Sequence, residues 1–126
     1  SDPIQRLFIA SMKESYFRPH RHPDKGECAL VIQGSFDFFV FDDSGRILKR
    51  ISLGPREKTY GFDLPANTWH SWLAREDRSV MFEVKQGPFD PQTISEFAPW
   101  SPEEGSPKVQ EFMKKQQLAG IGDILG

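Results

Sequence analysis

The sequence predicts an all-β domain of the jelly-roll type, with a C-terminal strap and a short helix. Eight short segments rich in apolar, β-branched and aromatic residues follow one another along residues 5–86, and turn-forming residues separate them. Strands of this kind bury their apolar faces in a sandwich or a barrel, and the jelly roll is the double-sheet arrangement. The length of 126 residues, with 37% hydrophobic residues, fits one compact domain.

The turns between the predicted strands are marked by their residue types. Residues 12–15 and Gly26 separate the first three strands, and Pro19 and Pro23 disfavour a helix in the second. The run 42–45, Asp-Asp-Ser-Gly, is typical of a hairpin in which glycine adopts a positive φ. The predicted strands are residues 5–12, 16–22, 27–33, 36–41, 46–53, 59–64, 68–74 and 79–86.

Two strands differ from simple alternation of apolar and polar residues. Residues 36–41 are apolar at both odd and even positions, so we expect this strand to be covered on both faces. Cys28 lies in the apolar run of the third strand, which favours a buried thiol over a nucleophile. It is the only cysteine, so the chain shown has no internal disulfide.

The composition changes after Gln86. Proline and aromatic residues are frequent between residues 87 and 102, which predicts an ordered strap lying on the barrel. We therefore assign residues 1–105 to the barrel domain, including this strap, and residues 106–126 to a C-terminal helix and tail.

The C-terminal segment is predicted to form a helix followed by a frayed tail. Ser106 and Pro107 are suited to the N-cap and the first helical position. The helix is expected to run for about ten residues, with an apolar stripe that contains Phe112 and Met113 and packs on the barrel. Residues 120–126 are expected to be a frayed tail.

Charge and hydropathy exclude several classes of partner. The net charge of −2 gives no electrostatic reason to expect nucleic acid. No stretch approaches the roughly 20 apolar residues of a membrane span, and no secretory signal is visible. A cytoplasmic protein with a small-molecule ligand is the simplest expectation.

The three histidines of the chain belong to two short motifs. One residue separates His20 from His22, Glu27 follows after four more, and His70 ends the distant run 65–70, Pro-Ala-Asn-Thr-Trp-His. Alternate side chains share one face of an extended strand, so His20 and His22 can bind one ion. If the strand that begins at Glu27 folds back, its carboxylate reaches the same place.

This set of donors predicts one divalent transition metal. Imidazole and carboxylate together suit zinc, iron, nickel or manganese, whereas calcium sites use oxygen ligands without histidine. Four protein ligands around a six-coordinate ion leave two positions for water or substrate. Two surface histidines alone would be weak evidence, but four matching ligands in two motifs are much more specific.

At these motifs the chain resembles the cupins and, within that superfamily, the WbuC-type cupins. The resemblance extends over about residues 3–105, and its segments are residues 18–25, 41–46, 65–70, 82–91 and 97–100. It implies a small β-barrel with the metal inside, a homodimer, and an association with bacterial surface-polysaccharide (O-antigen) gene clusters, hence with lipopolysaccharide biosynthesis. Asn67 stands where the general cupin turn has glycine, and asparagine tolerates the left-handed backbone that the turn requires.

Strand alternation indicates further candidate residues around the metal. Arg18 and Tyr16 share the face of the first two histidines, and Arg18 could bind an anionic substrate group or take part in catalysis. Its alternative role is a structural ion pair. Trp72 shares the face of His70 and could form a flat wall for a sugar ring, although a core position is somewhat favoured.

The last strand carries Glu83 and Lys85 on one face. Two charges on one face are usually solvated. If this face instead lines the cavity, Lys85 could bind an anion and Glu83 could act as a general base. Gln33 shares the alternation of Glu27 and is a further candidate substrate residue.

Three functions are compatible with these residues. The first is a metal-dependent isomerase or epimerase that acts on a sugar or nucleotide-sugar derivative. The second is a non-heme iron dioxygenase, which the same open ligand set would support. The third is a cupin that binds or senses a sugar without turnover. Whether the chain is an enzyme stays open at this level.

Overall fold

The computed structural model describes residues 2–91 and 95–126. The elements are β1 (Ile4–Ser11), β2 (His20–Arg21), β3 (Glu27–Gln33), β4 (Phe36–Phe41), β5 (Ile47–Leu53), β6 (Gly61–Leu64), β7 (Trp69–Ala74), β8 (Ser79–Gln86), β9 (Glu96–Phe97) and the helix α1 (Val109–Leu118). The strands form two antiparallel sheets, a four-stranded sheet of order β1-β8-β3-β6 and a five-stranded sheet of order β5-β4-β7-β2-β9. The predicted all-β jelly roll is thus confirmed.

The second predicted strand, residues 16–22, is much shorter in the structure. Only His20–Arg21 pairs, with β7 on one side and β9 on the other. Pro19 has no N–H to donate, and its carbonyl accepts a hydrogen bond from Ala98 of the strap. Strand alternation therefore does not extend back from His20, and the strap adds a strand that the sequence did not predict.

Strand β4 is covered on both faces, as its apolar pattern predicted. Phe36 and Phe38 point into the barrel, where they pack with Trp72 of the neighbouring strand β7 and with Met81 of the opposite sheet. Phe39 and its neighbours on the outer side belong to a second core beneath α1. That second core comprises Phe39, Phe41, Ile47, Trp69, Leu73, Ala98, Phe112, Met113, Ala119 and Leu125.

The expectation of a frayed C-terminal tail is wrong. Leu125 donates its N–H to Gly45 O at 2.9 Å, and Ile47 donates to Asp123 O at 2.8 Å. Leu125 is only 4% exposed. Because β5 is an edge strand, its free backbone groups offer the tail a place to pair, which local composition could not reveal.

The helix prediction is confirmed in length and in its buried stripe. Phe112 and Met113 are buried against the five-stranded sheet. The predicted N-cap is wrong: Lys108 takes that position, and the helix starts at Val109. Ser106 and Pro107 belong to the preceding turn, where Ser106 Oγ accepts a hydrogen bond from Lys108 N at 3.2 Å. The helix is too short and too polar to cross a membrane, and no other helix occurs among residues 2–91 and 95–126.

Arg50 fastens the C-terminal end of the helix to the sheet. Its guanidinium ion pairs with Asp37 at 2.7 Å and lies 4.8 Å from the centre of the Phe39 ring. It also donates to the last carbonyl groups of the helix, those of Gln116, Gln117 and Ala119. A cation at this end of a helix satisfies free carbonyl groups and interacts favourably with the helix dipole.

Two turns have the backbone that their residues suggest. Asn67 has φ 62°, as expected where the cupin turn usually has glycine. Gly34, between β3 and β4, has φ 72°, and a Cβ there would lie 2.3 Å from Ser79 Oγ. Glycine at this position lets the chain cross from one sheet to the other.

The prediction of a buried Cys28 thiol is wrong. Cys28 is exposed, because Glu27, Ala29 and Val31 occupy the inward positions of β3. The outward positions of this strand are also apolar, with Leu30 53% exposed. An apolar run therefore did not indicate which face the rest of the chain covers.

Candidate metal centre

Four side chains meet inside the barrel where the two sheets approach each other. His20 of β2 lies directly opposite His70 of β7, both in the five-stranded sheet. Glu27 opens β3 of the four-stranded sheet, and His22 follows β2 immediately. One ligand atom from each of the four lies within 4.8 Å of the others. The structure thus brings together the four metal ligands that the sequence motifs predicted.

Three of the four side chains are almost completely buried, and His20 is partly exposed. His70 is 0% exposed, and His22 and Glu27 are each 3% exposed. His70 Nε2 lies 2.5 Å from Glu27 Oε1, and His22 Nε2 lies 3.6 Å from Glu27 Oε2. The ring centres of His20 and His70 are 4.4 Å apart. These separations allow a single small ion to contact all four side chains.

Backbone carbonyl groups orient two of the imidazoles. His20 Nδ1 lies 2.9 Å from Arg18 O, and His70 Nδ1 lies 2.8 Å from Thr68 O. A carbonyl oxygen only accepts, so we assign the proton of each ring to Nδ1. The Nε2 lone pair of each ring is then directed into the cluster, which is the tautomer that a metal ligand needs.

The donor atoms fit a metal ion because the protein does not satisfy them by itself. Among the described residues, His70 Nε2 and both Glu27 oxygens are buried and lack a properly aligned hydrogen bond. A buried carboxylate without compensation is costly, and a divalent cation compensates it directly. The chemistry of three imidazoles and one carboxylate suits zinc, iron, nickel or manganese.

The protonation states are also those of a ligand set. Burial, reinforced by the neighbouring His70, lowers the pKa of His20 to about 3, so this imidazole is neutral at pH 7. Burial alone would raise the pKa of Glu27, but the imidazoles of His22 and His70 lower it below its usual range. A neutral imidazole beside an ionised carboxylate is ready to bind a cation without losing a proton.

Glu83 and Lys85 lie on the inner wall, contrary to the usual solvated arrangement. Glu83 is 3% and Lys85 is 9% exposed, and Lys85 Nζ lies 3.9 Å from Glu83 Oε1. They take the inward positions of β8 because its apolar residues Val80, Phe82 and Val84 point outward. Burial lowers the pKa of Lys85, and the adjacent Glu27 opposes this effect.

Gln5 is a polar residue of the inner wall that the sequence analysis missed. It lies opposite Lys85 in the β1–β8 register, and Lys85 in turn lies opposite Glu27 of β3. Gln5 is 8% exposed, and neither amide atom has a hydrogen-bond partner among the described residues. The available signal was its alternation with Ile9, which also points towards the core.

Arg18 is held by the strap. Its Nε donates to Ser101 Oγ at 2.9 Å, and its Nη2 donates to the carbonyl groups of Ala98 and Ser101. The guanidinium also lies 5.0 Å from the centre of the Phe97 ring. Its partners are therefore backbone and hydroxyl groups rather than a carboxylate, and its role towards substrate stays a prediction.

Tyr16 also contacts the strap. Its hydroxyl donates to Pro102 O at 2.7 Å, and burial raises the pKa of Tyr16 to about 12. Its ring meets Phe112 of the helix edge to face. These contacts place Tyr16 between the barrel, the strap and α1, and a role in substrate binding stays a prediction.

Trp72 and Gln33 differ in their relation to the cluster. The Trp72 ring centre lies 6.0 Å from those of both His20 and His70, and the residue is only 3% exposed. Gln33 is exposed and donates to Arg78 O at 2.7 Å. A bulge between Val31 and Gln33 breaks the alternation on which the prediction for Gln33 relied.

Sequence comparison identifies only part of the chain. A family described as a domain of unknown function, DUF6016, matches residues 1–53. No curated protein matches the sequence.

Comparison with solved structures is more informative about the fold. The chain is similar to the WlaRB TDP-quinovose 3,4-ketoisomerase of Campylobacter jejuni, with TM-score 0.62 and 13% identity over 76% of this chain and 70% of that one. It is similar to the rmlC epimerase of Mycobacterium tuberculosis, with TM-score 0.63 and 17% identity over 74% of this chain and 50% of that one. KdgF of Halomonas sp. gives TM-score 0.56 and 19% identity over 73% of this chain and 87% of that one.

These likenesses show a cupin-like double-sheet fold. The chain spans only half of the length of the Mycobacterium tuberculosis epimerase. At such low identities the shared feature is the arrangement of the two sheets, and the chemistry of this chain must be argued from its own residues.

Proposed function

We propose that this chain is a WbuC-type cupin that binds one divalent metal and isomerises or epimerises a sugar or nucleotide-sugar derivative. We place it in the cytoplasm, in the biosynthesis of bacterial surface polysaccharide. The observation that carries the proposal is the buried cluster of three histidines and Glu27, with a buried carboxylate and ammonium, Glu83 and Lys85, on the adjoining wall. A core designed only for stability seldom contains so many ionisable groups.

The chemistry at this site is proton transfer next to a carbonyl group. A divalent ion held by the four ligands would polarise a substrate oxygen and acidify the adjacent C–H bond. Glu83 is the candidate base: in an isomerisation its carboxylate takes the proton from carbon and returns it to the neighbouring carbon. In an epimerisation it takes the proton from one face, and water on the other face of the sugar ring would supply the new one. Lys85, whose Nζ lies 3.9 Å from Glu83 Oε1, can donate to a substrate oxygen.

Other residues would position the substrate. The buried Trp72 ring forms an apolar surface beside the histidines, and Gln5 offers an amide donor and acceptor next to Lys85. Adjacent hydroxyl groups of a sugar present both donors and acceptors, which matches this wall. Arg18 and Tyr16 fix the strap, so we propose that they act on substrate through its position, whereas Gln33 is too exposed to be included.

The similar structures support a sugar substrate at the level of the fold. Two of them are named as a TDP-quinovose 3,4-ketoisomerase and an rmlC epimerase. Both reactions move a proton at a sugar carbon, which is the step that Glu83 would perform.

The proposal is tested by metal content and by proton exchange. Protein purified without chelator or histidine tag should contain about one metal ion per chain, and His70→Ala should contain none. A nucleotide-linked 4-ketosugar incubated with the protein in D₂O should exchange a C–H proton for deuterium, which NMR detects. Glu83→Gln should lose the exchange but keep the metal, whereas the exposed-residue control Glu103→Gln should keep both. Retention of exchange by Glu83→Gln would contradict the assigned base.

The alternatives predict other outcomes of the same experiments. Stoichiometric iron with oxygen consumption on small acids would favour the dioxygenase, because three histidines and a glutamate leave adjacent positions open at iron. Sugar binding without any proton exchange would favour a sensing cupin. The buried Glu83–Lys85 pair favours an enzyme, since a sugar-binding wall does not need a base.

A further inference from the structure

The outer face of the four-stranded sheet is apolar and uncovered. We call it the outer sheet face; it consists of Ile4, Arg6, Phe8, Ala10, Cys28, Leu30, Ile32, Gly61, Asp63, Val80, Phe82, Val84 and Gln86. Phe8 is 70% exposed, Leu30 is 53% exposed and Ile32 is 51% exposed. The helix and tail pack on the other sheet, so no described element covers this face. Exposed apolar patches of this size commonly mark interaction sites.

The residues of the outer sheet face are ordered in rows across the strands. One row is Phe8, Phe82, Leu30 and Gly61. The adjacent row is Arg6, Val84, Cys28 and Asp63. The two ends of each row differ. The first row has a large ring, Phe8, at one end and Gly61 at the other, and the second row has the cation Arg6 at one end and the anion Asp63 at the other.

We propose that the outer sheet face packs against the same face of a second copy of this chain. A two-fold axis parallel to the strands places β1 of one copy over β6 of the other. Arg6 and Asp63 lie at opposite ends of one row. The rotation therefore places Arg6 of each copy opposite Asp63 of the other copy. It also places Phe8 over Gly61, where there is no side chain. The face is thus complementary to itself, as a two-fold interface requires.

The charges on the face are available for this exchange. Arg6 and Asp63 are the only charged residues of the outer sheet face. Arg6 forms an exposed ion pair with Asp2 at 3.3 Å, and such pairs contribute little to stability. Asp63 has no ion-pair partner in the described part of the chain. Pairing across the interface would satisfy it and would fix the register of the two copies.

The size of the face predicts a dimer of moderate affinity. Four strands about 4.8 Å apart and roughly seven residues long, at about 3.3 Å per residue, span about 19 Å by about 23 Å. The projected area is roughly 440 Å² per copy, and protruding side chains increase the accessible area above it. The projected area alone is below the roughly 600 to 1,000 Å² that specific interfaces bury per partner, and the protruding side chains bring the buried area towards the lower end of that range. The dimer should therefore dissociate on dilution.

Sedimentation velocity over a dilution series tests the proposal. The wild-type chain should be dimeric at high concentration, and Phe8→Lys should be monomeric. Leu118→Lys is the matched control, because Leu118 is 88% exposed but lies on the helix. Arg6→Asp and Asp63→Arg should each weaken the dimer at least about tenfold, since like charges then face each other. The double variant Arg6→Asp with Asp63→Arg should restore it, which an unfolded protein could not do.

The single cysteine provides a second measurement. Cys28 lies in the middle of the outer sheet face and is exposed in the monomer. Its alkylation should be slow in the wild-type dimer and fast in Phe8→Lys. A monomeric wild type, a dimer unaffected by Phe8→Lys, or equal alkylation rates would overturn the proposal. So would binding of the monomeric wild type to anionic phospholipid vesicles that Phe8→Lys abolishes. Metal content is unchanged in all these variants, so failure here leaves the proposed function untouched.

Discussion

The two sheets of the barrel are built from similarly apolar strands but are completed differently. The outer side of the five-stranded sheet is buried beneath α1, the strap and the tail, and Phe39 is 0% exposed there. The corresponding Phe8 of the four-stranded sheet is 70% exposed. The comparison shows that an apolar strand pattern indicates a face that favours burial but not the group that buries it. That group can be a distant part of the chain or another molecule.

The largest expected difference between the sheets is in their contribution to stability. Phe39→Ala should lower the free energy of unfolding by about 3 to 5 kcal/mol, because it removes a buried ring beneath the helix. Phe8→Ala should change that of the monomer by less than about 0.5 kcal/mol. Urea denaturation at low protein concentration measures both. Equal losses would show that the outer sheet face is covered within the monomer.

Metal binding should join the two sheets, because its ligands come from both. At a free metal concentration of about 100 times Kd, the folded chain should gain about 2.7 kcal/mol. Thermal melts with and without zinc or manganese measure this gain, and chelator should reverse it. His70→Ala should show no gain, whereas Phe8→Ala should show the full gain. If the metal does not change the melting temperature of the wild-type chain, the cluster is not a metal site.

The passage between the sheets at Gly34 should tolerate no side chain. Gly34→Ala should cost roughly 2 to 3 kcal/mol, because strain at φ 72° is joined by a clash with Ser79. Gly105 is the matched control, with φ 84° and no atom within 4 Å of an added Cβ. Gly105→Ala should cost only about 1 kcal/mol from backbone strain. Urea denaturation of the two variants separates the cost of backbone strain from the cost of the clash with Ser79. An equal loss of unfolding free energy in both variants would exclude a contribution from the clash.

The smallest expected effect concerns the attachment of the helix. Arg50→Met should lower the unfolding free energy by roughly 1 to 2 kcal/mol, because the helix carbonyl groups lose the Arg50 donor and Asp37 loses one of its partners. Lys49→Met on the same strand should be nearly neutral, since Lys49 is exposed. Hydrogen exchange in the last turn of α1 should rise only in the Arg50 variant. Unchanged exchange would mean that apolar packing alone holds the helix.

The metal ligands could be predicted from the sequence because they lie in short motifs whose residue types and spacing are visible without the fold. His20 and His22 are two apart on extended chain, and the other two ligands lie in motifs of their own. The bounds of β3, β4 and β8 also follow from uninterrupted apolar or alternating patterns. In these segments the local preference and the final environment agree.

The errors lie where a distant segment decides the environment. Strand alternation through Pro19 failed because the strap, rather than a strand, receives Arg18 and Tyr16. The tail was expected to fray because its pairing with β5 cannot be read from its own composition. For Glu83 and Lys85, the sequence shows one charged and one apolar face of β8, but the alternation alone does not tell which of the two faces the barrel interior.

The pairing of strands also has a kinetic consequence. Ile4 pairs with Gln86, and His20 pairs with His70, so the first strand and the metal ligands depend on contacts between segments that are far apart in the sequence. Topologies dominated by such non-local pairs fold slowly, over roughly milliseconds to seconds. The metal site cannot exist in any early, locally ordered state. Capture of the ion in a stopped-flow refolding experiment would therefore report a late step of folding and not its beginning.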